Sequence, residues 1–206
     1  MIAVTPRRFI VFGLGLIPFL WLVWCTLTNQ LGADPAKTIV WETGRWALRI
    51  LLVTLAVSPL RRYAGWGWLM PHRRMIGLFA LFYGVLHLLA YIFFILGGNL
   101  SQLGEELVRR PYITVGAPAL LILIALGVTS TRGMMKRLGK NWQRLHNLVY
   151  LALILAWIHL LWQVRSSYFE AALYGTIGAA LLLVRVVEWM KKRAKIARQN
   201  SANARG

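Results

Sequence analysis

The chain has a single cysteine, Cys25, in 206 residues. That excludes an intramolecular disulfide and any cysteine-built metal cluster, and its place in an apolar run marks it as an inert packing residue. Acidic residues are also scarce, six against 24 Lys and Arg. No Asp or Glu falls inside an apolar segment before Glu188, so a carboxylate proton relay through those segments has nothing to run on. No stretch alternates apolar and polar residues as a strand does, and no Gly-rich dinucleotide fingerprint follows a strand. A Rossmann-like domain is therefore excluded, and any electrons the chain handles must come from another molecule.

What the chain has in abundance is apolar surface: 58% hydrophobic residues and ten tryptophans. Several segments approach or exceed the roughly 18–20 apolar residues that cross a bilayer. The expected fold is all-α, an integral membrane six-helix bundle over residues 1–190, followed by a basic cytoplasmic tail, 191–206. The spans are 9–27, 44–60, 75–96, 112–128, 142–162 and 171–189, with a loop at 29–43 and a short surface helix within 97–110. Arg7-Arg8-Phe9 also fits a twin-arginine export signal, but the apolar run is too long for one and no small-x-small cleavage site follows.

The net charge of +18 would point to nucleic acid in a soluble protein. Here the basic residues cluster in alternate loops, and nucleic acid is not expected. The N-terminus, the loops around Arg61 to Arg74 and Arg132 to Arg144, and the tail hold most of the Lys and Arg. Asp34, Glu42, Glu105, Glu106 and Glu170 fall on the other side. The positive-inside rule then puts both termini in the cytoplasm, with the basic tail able to lie on anionic membrane lipid.

The chemistry rests on histidines. His87 lies 13 residues after Arg74, about 20 Å from the cytoplasmic edge at helical rise. His159 lies 15 residues after Arg144, about 22 Å from the same edge. The two share a level, and imidazoles inside apolar helices need a partner. Two axial imidazoles on one b-type haem satisfy them and favour electron transfer. Zinc is a poorer fit, because only two histidines share the level and no carboxylate joins them. His146, near the inner edge, is a candidate for a second haem or a headgroup contact, and His72 is a candidate sixth ligand for that haem or a loop residue. Along one straight helix His146 and His159 would point about 140° apart, so a bend or a π-bulge is needed if both face one partner.

Arginines are the other candidates. Arg45 and Arg49 fit either an outer haem's propionates or a quinone carbonyl, or snorkelling to headgroups. Arg73, Arg74 and Arg144 fit inner propionates or a flavin phosphate, or simply set topology. Trp66, Trp68 and Trp142 fit an interfacial aromatic belt. Gly77 and Gly84, seven apart, suit a close helix or macrocycle approach. A haem-free transporter or assembly factor, and a self-contained metal reductase, are the competing classes.

Several runs carry a resemblance: PFLWLVW (18–24), LGADPAK (31–37), TGRWAL (43–48), RRMIGL (73–78), LHLLAY (86–91), RPYITVG (110–116) and TSTRGMMKRLGKNWQRLHNLVYL (129–151). With them the chain resembles the MsrQ (YedZ) family, the haem-binding membrane subunits of bacterial periplasmic protein-methionine-sulfoxide reductase systems. That family sits among the ferric-reductase-like transmembrane domains related to NADPH oxidases. The resemblance implies an inner-membrane subunit that passes electrons, from the quinone pool or a cytosolic flavin reductase, to a periplasmic molybdopterin catalytic subunit that reduces methionine sulfoxide in oxidised proteins. It implies haem b, one or two, and FMN, and it maps the haem histidines onto His87, His146 and His159. NADPH oxidases carry a further histidine where this chain has Arg73 or Arg74, which leaves the inner ligation and the haem number open.

Overall fold

The structure is a computed structural model that describes residues 6–164 and 167–203. The connection between the expected spans 142–162 and 171–189 lies partly, and the last residues of the tail wholly, outside that range. Among the described residues nine α-helices run in order: α1 (Pro6–Leu27), α2 (Pro35–Tyr63), α3 (Arg73–Ala90), α4 (Ser101–Arg109), α5 (Pro111–Val128), α6 (Arg132–Leu138), α7 (Lys140–His146), α8 (Val149–Gln163) and α9 (Phe169–Asn203). A 3-10 helix, Gly67–His72, leads into α3, and a π-helical turn, Tyr91–Ile95, ends it. No strand occurs among the described residues.

Among the described residues five stretches are long and apolar enough to cross a membrane: Pro6–Leu27, Gly67–Ile95, Pro111–Val128, Lys140–Gln163 and Phe169–Asn200. Their outward faces stay apolar, with Phe9, Leu14, Trp24, Leu121 and Leu183 all more than half exposed. A water-soluble fold rarely exposes so much contiguous apolar surface. The expected second span is not among the five, because Arg45 and Arg49 interrupt its apolar run. Helix α2 is instead the centre of the bundle. It packs most extensively on α3 and also touches α1, α8 and α9, burying Leu48, Leu51, Leu52, Leu55 and Val57. A helix shielded by its neighbours can carry arginines that a lipid-facing helix could not.

Three expected boundaries need correction. The segment 29–43 is not a loop for most of its length, because α2 begins at Pro35. The Asp34 carboxylate accepts the Lys37 amide at 3.1 Å, and proline at the first helical position has no N–H to leave unsatisfied. The basic segment after α5 is likewise helical, as α6, capped by the Thr131 hydroxyl. At the other end, α9 continues unbroken past Trp189 through the basic residues. The short surface helix expected within 97–110 is α4.

The bundle's tight seams use small residues. A Cβ on Gly84 would sit 3.1 Å from Leu120 Cδ1, and one on Gly77 3.4 Å from Thr54 Cγ2. Helix α1 carries Pro18 in its interior, which removes one rung of its hydrogen-bond ladder. The Tyr83 hydroxyl fills the gap beside it, accepting from the Phe19 N–H at 3.0 Å and donating to the Gly15 carbonyl at 2.8 Å. Cys25 is buried against Leu22 and Leu31, a packing residue as expected.

Candidate functional site

Helices α3 and α8 bring His87 and His159 together. Their ring centroids lie 6.0 Å apart with the planes at 83°. Two imidazoles bound on opposite sides of one metal, each at about 2.0–2.1 Å from it, need a centroid separation of about 6 Å. Both rings are half-buried, and each is held from behind by a backbone carbonyl. His87 Nδ1 is 2.8 Å from the Val40 oxygen, and His159 Nδ1 is 2.6 Å from the Tyr112 oxygen. A carbonyl only accepts, so Nδ1 must carry the proton in both rings. Each neutral imidazole therefore presents the lone pair of Nε2, which is the arrangement that orients a metal-ligating histidine.

Two glycines make these positions available. A Cβ on Gly44 in α2 would lie 2.9 Å from His87 Nδ1, and one on Gly116 in α5 would lie 2.5 Å from His159 Nδ1. Each histidine lies in a notch that any other residue would fill. Directly after His87 the chain widens into the π-turn Tyr91–Ile95, a distortion common at functional sites. The Tyr112 ring packs 5.8 Å from His159. Among the described residues, no group of three or more His, Cys, Asp or Glu could hold a bare metal ion. Two imidazoles are a full set only when a macrocycle supplies the remaining ligands, so the donor set fits haem and not zinc.

His146 sits apart, at the end of α7. Its Nε2 is 3.4 Å from Thr129 Oγ1, and the Trp142 ring stacks on it at 3.9 Å. The Thr129 hydroxyl donates to the Ala125 carbonyl at 2.6 Å, so towards His146 it can only accept. In this arrangement His146 Nε2 is a donor, unlike the Nε2 of His87 and His159. Trp142 is also occupied, its indole N–H donating to the Thr129 carbonyl, whereas Trp66 and Trp68 are half-exposed as a belt requires. His72 is buried at the end of the 3-10 helix. Asn147 and Leu148 separate α7 from α8 and keep right-handed helical backbone angles.

Arg45 and Arg49 are half-buried between α2 and α9 and engaged by carboxylates. Arg45 pairs with Glu42 and Glu170, both at 2.9 Å. Arg49 lies 3.9 Å from the same two residues and donates from Nε to the Tyr174 hydroxyl at 2.7 Å. The two positive charges are balanced within this network of two carboxylates. At the opposite end Arg74 and Arg144 are exposed, while Arg73 is half-buried. The residues missed from sequence are Val40, Tyr112, Gly44 and Gly116. Val40 and Tyr112 act through carbonyls, which no side chain advertises. The glycines were visible as small residues in apolar helices, but their histidine neighbours were not.

Comparison with known proteins sharpens this. Residues 43–157 match the family described as ferric reductase like transmembrane component. A protein of Xanthomonas axonopodis pv. citri (strain 306), named protein-methionine-sulfoxide reductase heme-binding subunit MsrQ, is 47% identical over 181 residues, 88% of this chain and 83% of that protein. A protein of the same name from Herminiimonas arsenicoxydans is 45% identical over 194 residues, 93% of this chain and 89% of that one.

Proposed function

The chain belongs to the ferric-reductase-like transmembrane family, and within it to the MsrQ haem-binding subunits; from this premise we propose that it carries electrons across a membrane to a methionine-sulfoxide reductase catalytic subunit, through haem held by His87 and His159. One observation carries the reading: two imidazoles from different helices, 6.0 Å apart, each with Nδ1 committed to a carbonyl and Nε2 left as a base. The haem is of b type, since covalent attachment uses a C-x-x-C-H motif and the chain has one cysteine.

Bound there, haem would supply a one-electron couple suited to electron transfer. His87 and His159 hold it from two helices. The Val40 and Tyr112 carbonyls fix the ring orientation and raise ligand basicity. The apolar faces of α3, α5 and α8 keep water away from the pair. Tyr112 is the second residue of α5, so the pair lies near one end of the bundle, and electrons leave there towards the partner.

The finer reading follows the resemblance and the charge pattern. Helix α2 completes six spans over residues 1–190, in the bacterial inner membrane, with both termini and the tail 191–206 cytoplasmic. The partner is a periplasmic molybdopterin enzyme, and the donor is the quinone pool or a cytosolic flavin reductase. FMN rests on the resemblance alone. His146 is the candidate for a second haem nearer the cytoplasm, with Arg73 or Arg74 at the level where NADPH oxidases carry a further histidine.

The test is haem content and spectrum of purified protein. Wild type gives a low-spin bis-imidazole spectrum, and His87→Ala or His159→Ala each abolishes it. Unchanged haem in both variants would sink the ligand assignment. No Soret band in protein made with ample haem would favour the transporter or assembly-factor class instead.

A further inference from the structure

A chain of polar side chains links the helix that carries His87 to the carbonyl that orients His159. Tyr91 stands one helical turn after His87, where α3 passes into the π-turn, and its N–H donates to the His87 carbonyl. Its hydroxyl donates to Glu106 Oε2 in α4. Arg110, between α4 and α5, donates from Nε to the same carboxylate oxygen at 2.7 Å. From Nη1 it also donates to the Tyr112 hydroxyl at 3.1 Å. Tyr112 meets His159 twice, with its ring at 5.8 Å and with its carbonyl oxygen 2.6 Å from Nδ1.

Glu106 is the junction of this chain. Its side chain is 17% exposed, whereas that of Glu105 is 56% exposed and pairs with the outward-facing Arg109 at 2.6 Å. Exposed ion pairs contribute little, while hydrogen bonds to a charged group withdrawn from water are the strong ones. The backbone at Arg110 is extended, with φ −121° and ψ 91°, so α5 starts afresh and does not continue α4. The first turn of α5 is therefore placed by its side-chain ties. One is Arg110 to Glu106, and another is the Thr114 hydroxyl donating to the Leu107 carbonyl.

We propose that Glu106 is a positioning residue for the haem ligands. By joining Tyr91 to Arg110 it holds the end of α3 against the start of α5, and with them the spacing and mutual angle of His87 and His159. The role rests on the haem reading of that pair. His87 is oriented by a carbonyl of α2 and His159 by a carbonyl of α5. Those two bonds alone do not fix one ring against the other, and the Glu106 junction adds the link between them. Glu106 acts through Arg110 and Tyr112 and needs no contact with the macrocycle.

The experiment uses the full-length haem-loaded protein in nanodiscs. Its main readout is the EPR spectrum of the ferric haem, whose g-values depend on the angle between the imidazole planes, 83° here. Haem affinity and the thermal midpoint are measured alongside. Glu106→Ala should shift the g-values and weaken haem binding about tenfold or more, as losses of second-shell partners do. Glu106→Gln, whose amide oxygen still accepts, should recover part of both. Tyr91→Phe should shift them in the same direction by less, and Glu105→Ala should match wild type. A lowered thermal midpoint in Glu106→Ala with wild-type g-values and affinity would reduce the carboxylate to a stabiliser of the bundle and overturn the role. If Glu106→Ala does not fold, Tyr91→Phe decides, and wild-type g-values and affinity there overturn it as well. Wild-type protein that takes up no haem would overturn the ligand reading and this role with it, whereas unchanged variants of a haem-loaded protein overturn this role alone.

Discussion

Gly116→Ala is the sharpest available test of how the ligand pair is set. The added Cβ would lie 2.5 Å from His159 Nδ1, 2.9 Å from Cε1 and 3.0 Å from Cγ. Non-bonded heavy atoms prefer about 3.5–4.0 Å, so the ring must retreat by about 1 Å. Its anchor is the 2.6 Å hydrogen bond to the Tyr112 carbonyl, and retreat strains or breaks that bond. A lost hydrogen bond costs about 0.5–1.5 kcal/mol, and forcing an overfilled site costs about 1–3 kcal/mol. Together these span about 1.5–4.5 kcal/mol; a loss of about 2–3 kcal/mol, in the lower half of that span, is roughly a 30- to 150-fold weaker haem affinity at 1.4 kcal/mol per decade, close to the 10–100-fold usually lost with a second-shell partner.

The sign of the effect is what makes the test decisive. By helix propensity alone, alanine should improve on glycine by about 0.8–1.0 kcal/mol. A neutral or stabilising outcome is therefore the default for a glycine with no special neighbour. Gly13 is such a control, with open space where a Cβ would go. Haem titration of apo-protein, followed at the Soret band, measures both variants. Gly116→Ala should weaken binding and Gly13→Ala should not. Wild-type affinity and spectrum in Gly116→Ala would refute the idea that the notch positions His159.

Other outcomes follow from the same contacts. Gly44→Ala, whose Cβ would meet His87 Nδ1 at 2.9 Å, should weaken haem binding in the same direction but less, and a larger loss than for Gly116→Ala would contradict the steric account. Tyr83→Phe removes the hydroxyl that joins the Phe19 N–H to the Gly15 carbonyl; leaving those groups unmet costs about 1–3 kcal/mol, read as a lower thermal midpoint with haem content retained. Glu170→Gln takes one carboxylate from both Arg45 and Arg49; for a half-exposed network this costs about 1 kcal/mol, and thermal unfolding at two salt concentrations should show the gap narrowing as salt rises. Hydrogen bonds from Lys37 hold the Asp34 carboxyl below its ordinary value, so its support for the start of α2 is fully present above that value and fades as pH falls through the lowered one. An NMR titration with a midpoint at or above 3.8 would contradict that.

The apolar runs and the histidine levels were legible in the sequence because both rest on helical rise and hydropathy, which are local. His87 and His159 pair as depth counting required. The start of α2 was not legible, because Asp34 and Pro35 read equally well as a turn; only the carboxylate's bond to the Lys37 amide distinguishes a cap. The same misreading hid Val40, which fell in the supposed loop. Arg45 and Arg49 were legible as a pair on one face, but their partner Glu170 lies more than a hundred residues away, so nothing local showed that their charge is balanced.

The two ends of the α7–α8 segment therefore differ in kind. At the outer end, α2 and α5 each contribute a notch and a carbonyl, and both imidazoles are left with a basic Nε2. At the inner end, Thr129 turns His146 Nε2 into a donor at 3.4 Å and Trp142 covers one face of the ring. A haem ligated by His146 Nε2 would have to break the threonine contact, whereas ligation at the outer pair breaks nothing. The first haem to bind should therefore fill the outer pair, and a second should bind more weakly. Titration with substoichiometric haem checks the order: at one equivalent, His146→Ala should match wild type, while His159→Ala should already have lost the low-spin spectrum. Equal loss in both variants at one equivalent would show that the two levels load together and that the inner contacts carry no energetic weight.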